Sequence, residues 1–104
     1  MARTAEGKVK DVVTKILKDR GAYYFFPVTG GFGRSGVPDI VACYKGWFIG
    51  IECKAGSNKI TAIQESELQK IDKAEGITRV VNENTAPQVS SILDAIDNLS
   101  FVKG

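Results

Sequence analysis

Two apolar runs separated by only two residues constrain the fold more than any other feature of this sequence. Residues 37–44 and 47–54 have the length and composition of β-strands, and Lys45-Gly46 between them suits a tight hairpin turn. Such a short turn makes the two strands antiparallel neighbours. If paired residue numbers add up to 91, Asp39 lies opposite Glu52. We therefore expect one carboxylate on each strand at the open end of the hairpin.

The second run also places a lysine beside its carboxylate. Side chains alternate between the two faces of a strand, so Glu52 and Lys54 share one face. Two carboxylates that lie close together repel each other and favour a cation between them, and oxygen ligands of this kind suit magnesium. Glu-x-Lys pairs are also common on strand surfaces, and Pro-Asp is common in turns. Only their combination on adjacent apolar strands indicates a metal site beside Lys54.

The remaining pattern alternates helices and strands. We predict a helix over residues 3–20, ended by Gly21, then a strand over 22–28 and a loop over 29–36. After the hairpin we predict a second helix, which Thr61 caps and which runs to about residue 75, where Gly76 ends it. A strand over 77–82 and a helix over 86–99 follow. This order predicts an α/β fold with a mixed sheet flanked by helices. The apolar stripes of the first and last helices comprise Val9, Val12, Val13, Ile16, Leu17, Val89, Ile92, Leu93, Ile96 and Leu99.

Composition excludes several kinds of chemistry. The sequence has no histidine, so a Ser-His-Asp triad and a histidine general base are impossible. Its two cysteines, Cys43 and Cys53, fall inside strand-like runs, and we predict two buried thiols in a reducing compartment. With no apolar run of membrane-spanning length and no signal peptide, we expect one cytoplasmic domain over residues 1–104.

Charge is distributed unevenly along the chain. Residues 1–59 carry ten Lys/Arg and five Asp/Glu, whereas residues 60–104 carry four and seven. A basic half suits a polyanion such as DNA, although charged residues often serve only to solvate a surface. Lys8 and Lys59 in this half are candidate DNA contacts, with solvation of the surface as the alternative role of each.

Two polar residues fall on helix stripes that are otherwise apolar. Glu6 lies three residues before Val9, and Gln64 lies four residues before Leu68. Each is either a helix-end residue whose head group reaches solvent or a side chain that reaches toward the carboxylate pair. The spacing alone leaves both alternatives open.

Together these residues resemble a known family. The run from Gly33 to Asp39, the run Ile51-Glu52-Cys53-Lys54, and Gln64 and Glu6 in the flanking helices are similar to the VRR-NUC domains of the PD-(D/E)XK nuclease superfamily. The resemblance implies a restriction-endonuclease-like αβββαβ core, here with an extra C-terminal helix. It also implies a nuclease that hydrolyses phosphodiester bonds of DNA with Mg²⁺ or Mn²⁺.

The resemblance further implies a role for each matching residue. Asp39 and Glu52 would bind the metal with the backbone carbonyl of Cys53, and Lys54 would position the attacking water. Glu6 would hold a metal-bound water, and Gln64 would support the site. The phosphate-contacting loop would contain Arg34, Ser35 and Gly36.

Stand-alone domains of this type, usually encoded by phages, resemble homodimeric Holliday junction resolvases that act in DNA repair. Two symmetric cuts in a four-way junction suit a two-fold dimer. We expect part of the aromatic surface from Tyr23 to Phe26, with Trp47 and Phe48, to form the dimer interface, unless these side chains simply fill the core. The alternatives are a flap, nicking or restriction-type endonuclease, a non-catalytic DNA-binding module, and a structural or inhibitor-type protein without a nucleic-acid partner.

Overall fold

The element order follows the prediction. The computed structural model describes residues 3–28 and 33–103, without the side chains of 100–103, so the predicted loop over 29–36 falls partly outside the described residues. The helices are α1 (Ala5–Asp19), α2 (Ala62–Lys73) and α3 (Val89–Lys103), and a 3-10 turn (Ala86–Gln88) precedes α3. The strands are β1 (Tyr23–Phe25), β2 (Ile40–Tyr44), β3 (Trp47–Cys53) and β4 (Ile77–Val81).

The four strands form one mixed sheet in the order β1-β2-β3-β4. β1, β2 and β3 are antiparallel neighbours, and β4 runs parallel to β3. The hairpin turns at Lys45 and Gly46, whose φ angles of 50° and 86° are those of a type I′ turn. Ile40 pairs with Ile51, which confirms the predicted pairing and brings Asp39 opposite Glu52 one step further along.

Helices cover the sheet on both faces. One face packs against α1, α3 and the 3-10 turn, and together they form the main core. Its fully buried side chains include Leu17, Ile49, Ile51 and Leu93. The opposite face carries α2 over Gly50, where an added Cβ would lie 2.9 Å from both Ile71 Cδ1 and Pro38 Cγ. The missing side chain at Gly50 therefore lets α2 approach the sheet closely.

Part of this second face remains open. Tyr23, Cys43 and Phe48 are aligned in register across three strands on that face, and Tyr23 and Phe48 are 71% and 46% exposed. Cys53 is buried as predicted, but the prediction that Cys43 is buried is wrong. The prediction failed because a strand-like sequence does not reveal which part of the sheet α2 covers.

Several predicted details differ. The first three strands are shorter than predicted. Val12, at the margin of the apolar stripe of α1, is 42% exposed. Leu99, which follows Ile96, the last buried residue described in α3, is 49% exposed. At the end of α2 the left-handed residue is Glu75 rather than Gly76, with φ 69°. Gly76 is instead required by packing, since its Cβ would lie 2.7 Å from Ile71 Cγ2. None of the described helices is long and apolar enough to span a bilayer.

Candidate active site

The open end of the β2–β3 hairpin brings Asp39 and Glu52 together. Asp39 directly precedes β2, and the strand register places it across from Glu52 near the end of β3. Ile40 and Ile51 point into the main core, so alternation directs both carboxylates to the opposite face, which α2 covers. The sheet itself therefore sets the distance between the two acidic side chains.

Glu52 is an ionisable group in an environment that disfavours its charge. It is only 1% exposed, and its burial, together with the neighbouring Asp39 carboxylate, raises its pKa to about 8. The charge of Glu6 raises this pKa further, whereas the Lys54 ammonium lowers it. Glu52 Oε2 is buried and has no hydrogen-bond donor among the described residues. This oxygen is therefore available to a cation.

Backbone interactions hold Asp39 and Lys54 in place. The backbone N–H of Cys53 donates a hydrogen bond of 2.8 Å to Asp39 Oδ2. Pro38, which precedes Asp39, is buried beneath α2. The N–H of Lys54 donates to the carbonyl of Val81 in β4, at 2.9 Å, so the chain at Lys54 remains tied to the sheet after β3 has ended.

Gln64 connects α2 to the carboxylate pair. Its Oε1 accepts the Thr61 N–H at 2.9 Å while the Thr61 hydroxyl accepts the Gln64 N–H at 3.2 Å, which is a complete capping box. Its Nε2 donates a long hydrogen bond of 3.5 Å to Glu52 Oε1. The two alternatives left open by the sequence, a helix-end residue and a side chain that reaches the site, both hold for Gln64.

Glu6 approaches the site from the other side of the sheet. It is half-buried in the first turn of α1, where Thr4 caps the helix by accepting the Gly7 N–H at 3.0 Å. Besides acting on Glu52, its charge helps to raise the pKa of the Cys53 thiol to about 12, a shift caused mainly by burial. The helix N-terminus thus places a third carboxylate close enough to influence the pair electrostatically.

The donors at this site suit a hard divalent cation. Two carboxylates supply charge, and the buried Glu52 Oε2 lacks any other partner in the described chain. Mg²⁺ binds through one or two protein carboxylates while keeping open positions for water and phosphate oxygens. Within residues 3–28 and 33–103, no three His, Cys, Asp or Glu side chains are close enough to hold a metal ion between them. If Asp39 and Glu52 hold a cation, water and phosphate oxygens would complete its coordination.

The candidate DNA-contacting residues lie in different settings. The Arg34 guanidinium binds the Glu67 carboxylate of α2 through Nε and Nη2, at 3.0 and 2.9 Å. Gly36, with φ 78°, packs so tightly on α2 that an added Cβ would lie 2.4 Å from Ile63 Cγ2. Ser35, Lys8 and Lys59 are exposed.

Sequence analysis missed Glu67 and Lys70. Glu67 is 8% exposed, and its carboxylate binds both Arg34 and Lys70, whose Nζ lies 2.8 Å from Oε2. These two cations lower the pKa of Glu67 to about 2. Glu67 could have been found from its position in the sequence, because it lies three residues after Gln64 and four before Ile71, on the buried stripe of α2.

Comparison with known proteins identifies the family. The family described as archaeal Holliday junction resolvase (Hjc) matches residues 5–86, which contain all the candidate residues. A solved structure of a "VRR_NUC domain" has the same fold, with a TM-score of 0.66 at 21% identity, over 93% of this chain and 95% of that one. No curated protein matches the chain. These findings confirm the expected resemblance to PD-(D/E)XK nucleases, and the chain belongs to the Hjc family of Holliday junction resolvases.

Proposed function

We propose that this protein is a metal-dependent endonuclease that acts as a homodimer to cut four-way DNA junctions. The observation that carries the proposal is the contact between Asp39 and Glu52, with a buried Glu52 oxygen lacking a donor in the described chain and Lys54 acting on the same carboxylate. Membership in the Hjc family supports the choice of a branched DNA substrate.

In this proposal each residue has a distinct task. Asp39 and Glu52, with the Cys53 carbonyl, would hold the divalent ion, which supplies a Lewis acid for the scissile phosphate and the attacking water. Lys54 would orient that water and offset negative charge that develops on the phosphate. The attacking water would give up a proton as its oxygen forms a bond to phosphorus, one ester P–O bond would break, and the departing oxygen would take up a proton.

Gln64 and Glu6 would act around this centre. The Gln64 amide holds Glu52 Oε1 while its other end caps α2, so it fixes the carboxylate relative to the helix. Glu6 adds negative charge nearby and would orient a water on that side. Both side chains are carried by helix N-terminal turns, whose geometry is rigid compared with that of a loop.

The open face of the sheet supports the dimer. Tyr23, Phe25 and Phe48 are 71%, 47% and 46% exposed, so these aromatics do not fill the core, whereas Tyr24 and Trp47 pack against it. A groove of about 460 Å³ lies on this face, lined in part by Phe25, Phe48 and residues of α2. Exposed apolar surface of this kind is typical of an interface. A second copy that covers it would provide the two active sites that symmetric cutting requires.

The direct test is cleavage of labelled four-way junctions and matched linear duplexes, each with Mg²⁺ or with EDTA. Wild type should place paired symmetric nicks in the junction only, and both EDTA and Asp39→Asn should abolish them. Equal cutting of linear DNA would instead indicate a general or restriction-type nuclease, and cutting of flaps alone would indicate a flap endonuclease. Binding without any cutting would indicate a non-catalytic DNA-binding module.

The dimer has its own test. The mass of the protein at micromolar concentration should be that of two chains, and Phe48→Lys should shift it to one. Val28→Lys is the matched control, because Val28 is 88% exposed and lies outside the strands that form the open face. A single-chain mass for wild type at this concentration would contradict the homodimer without affecting the assignment of the catalytic residues.

A further inference from the structure

Arg34, Glu67 and Lys70 form a charged triad beside the candidate active site. The buried Glu67 carboxylate accepts two hydrogen bonds from Arg34 and one from Lys70, at 2.8 to 3.0 Å. The side chains of Arg34 and Lys70 are 66% and 60% exposed, whereas that of Glu67 is 10% exposed. Glu67 therefore binds the inner side of both cations, and their remaining N–H donors face solvent.

These outward donors line a pocket distinct from the carboxylate pair. The pocket has a volume of about 440 Å³, and Ser35 and Ser66 add two hydroxyl groups to its wall. Arg34 Nη1 makes no hydrogen bond to any described residue, and Lys70 Nζ uses one of its three donors on Glu67. Because the triad has a net charge of +1, the pocket presents positive charge and several donors to a ligand.

We infer that this pocket binds a backbone phosphate of the DNA strand, separate from the phosphate that is cut. The inference rests on the proposed function and assigns Ser66 and Lys70 of α2 to substrate binding together with Arg34 and Ser35. Guanidinium, ammonium and hydroxyl groups are the donors that proteins direct at phosphate oxygens. The two cations occupy both oxygens of Glu67, so its charge is compensated before a phosphate approaches.

The pocket is separated from the carboxylate pair along α2. Gln64 contacts the carboxylate pair, and Lys70 lies six residues further along the same helix. At a rise of ~1.5 Å per residue these positions are ~9 Å apart along the axis. Phosphates of one strand follow each other every ~3.4 Å along the duplex axis. Because this offset is larger than one phosphate step, a phosphate in the pocket would be a different one from the phosphate at the carboxylate pair.

The triad also holds the loop that carries Arg34. The double hydrogen bond to Glu67 and the contact between Gly36 and Ile63 attach residues 34–36 to α2 at two points. A cation that is already fixed loses less conformational freedom when it binds its ligand. Glu67 is thus a positioning residue that prepares Arg34 and Lys70 for a phosphate.

The test measures binding of a fluorescein-labelled four-way junction in EDTA, by anisotropy over a range of salt concentrations. Lys70→Gln should weaken binding several-fold and reduce the slope of log affinity against log salt by about one. Lys73→Gln is the matched control, because Lys73 is exposed on the same helix but does not line the pocket. It should change affinity less than twofold.

A second pair of variants adds negative charge instead of removing positive charge. Ser66→Asp should weaken binding at least tenfold, whereas Gln69→Asp, exposed on α2 outside the pocket, should have a much smaller effect. If wild type binds DNA and each pocket variant behaves like its control, the pocket is wrong and the proposed nuclease function stands. If wild type shows no salt-dependent binding to DNA, both the pocket and the proposed function are wrong.

Discussion

The backbone N–H of Cys53 donates a hydrogen bond to the Asp39 carboxylate at 2.8 Å, so the acidic residue before β2 is fixed to the end of β3. This bond fixes the orientation of Asp39 relative to its neighbour Glu52, which alternation alone does not determine. Asp39 therefore combines a structural bond through Oδ2 with a role in the candidate metal site.

The two roles of Asp39 can be separated with Asn and Ala. Asp39→Asn keeps an oxygen that accepts the Cys53 N–H, whereas Asp39→Ala leaves that N–H without its partner. We expect both variants to lose at least about a hundredfold in cleavage rate, since each removes a charge that we propose binds the metal. The Ala variant should also be less stable than the Asn variant by about 1–2 kcal/mol. Urea unfolding in EDTA checks this, and equal midpoints for the two variants would contradict it.

From the raised pKa of Glu52 we predict that the metal-free protein loses stability as pH rises. Its folded pKa of about 8 lies above its ordinary value of 4.5. Protonation therefore stabilises the fold fully below pH 4.5, and this contribution is lost as pH rises toward 8. Glu52→Gln replaces the carboxylate with a neutral group of similar shape. In EDTA at neutral pH, its free energy of unfolding should exceed that of wild type by about 1–3 kcal/mol.

Thermal unfolding between pH 5 and 8 provides the measurement for Glu52→Gln. Glu75→Gln is the control, because Glu75 is an exposed carboxylate at the end of α2 and should leave the pH dependence unchanged. Added Mg²⁺ should raise the melting temperature of wild type but not of Glu52→Gln. A wild type whose stability is independent of pH in this range would contradict the picture of a strained carboxylate pair.

The features that sequence analysis predicted best are local. The hairpin and its register follow from a two-residue turn and from side chains that alternate with period two, so Asp39 could be placed opposite Glu52 without further information. The capping box also lies within four consecutive residues, and Thr61 was identified as a cap. In both cases the chain's own short-range geometry determines the structure.

The features that were missed depend on contacts between distant segments. Glu67 and Arg34 are 33 residues apart, and only the docking of α2 onto the loop before β2 brings them together. The exposure of Cys43 depends likewise on where α2 lies on the sheet. An apolar strand pattern predicts that a face can be buried, but it does not show which element covers that face.

Gln64 joins helix capping to the site, and two substitutions separate these functions. Gln64→Glu keeps the capping box, because Glu is an ordinary partner in that motif, but it places a further carboxylate near Glu52. Gln64→Ala loses both, and should destabilise α2 by about 0.5–1 kcal/mol. We expect Gln64→Glu to lower the cleavage rate at least as much as Gln64→Ala does. Near-normal activity of Gln64→Glu, with reduced activity of Gln64→Ala, would show that only the cap matters.

From the close packing of Gly36 on α2 we predict that the loop before Asp39 tolerates no side chain at this position. A Cβ at Gly36 would lie 2.8 Å from the backbone carbonyl carbon of Ile63 as well as against its side chain, so the loop or the helix must move. We expect Gly36→Ala to cost about 1–3 kcal/mol through this overlap, in addition to about 1 kcal/mol for its left-handed conformation. The displacement should also lower the cleavage rate, because Asp39 follows three residues later.

Gly56→Ala is the matched control for Gly36→Ala. Its φ of 58° is also left-handed, but an added Cβ at Gly56 would meet nothing within 4 Å. Both variants therefore carry a penalty for a left-handed conformation, and the difference between their unfolding free energies mainly measures the contact with Ile63. If the two variants have equal stability and equal cleavage rates, the loop is not fixed to α2 at this point, and Asp39 must be positioned by Pro38 and the Cys53 N–H.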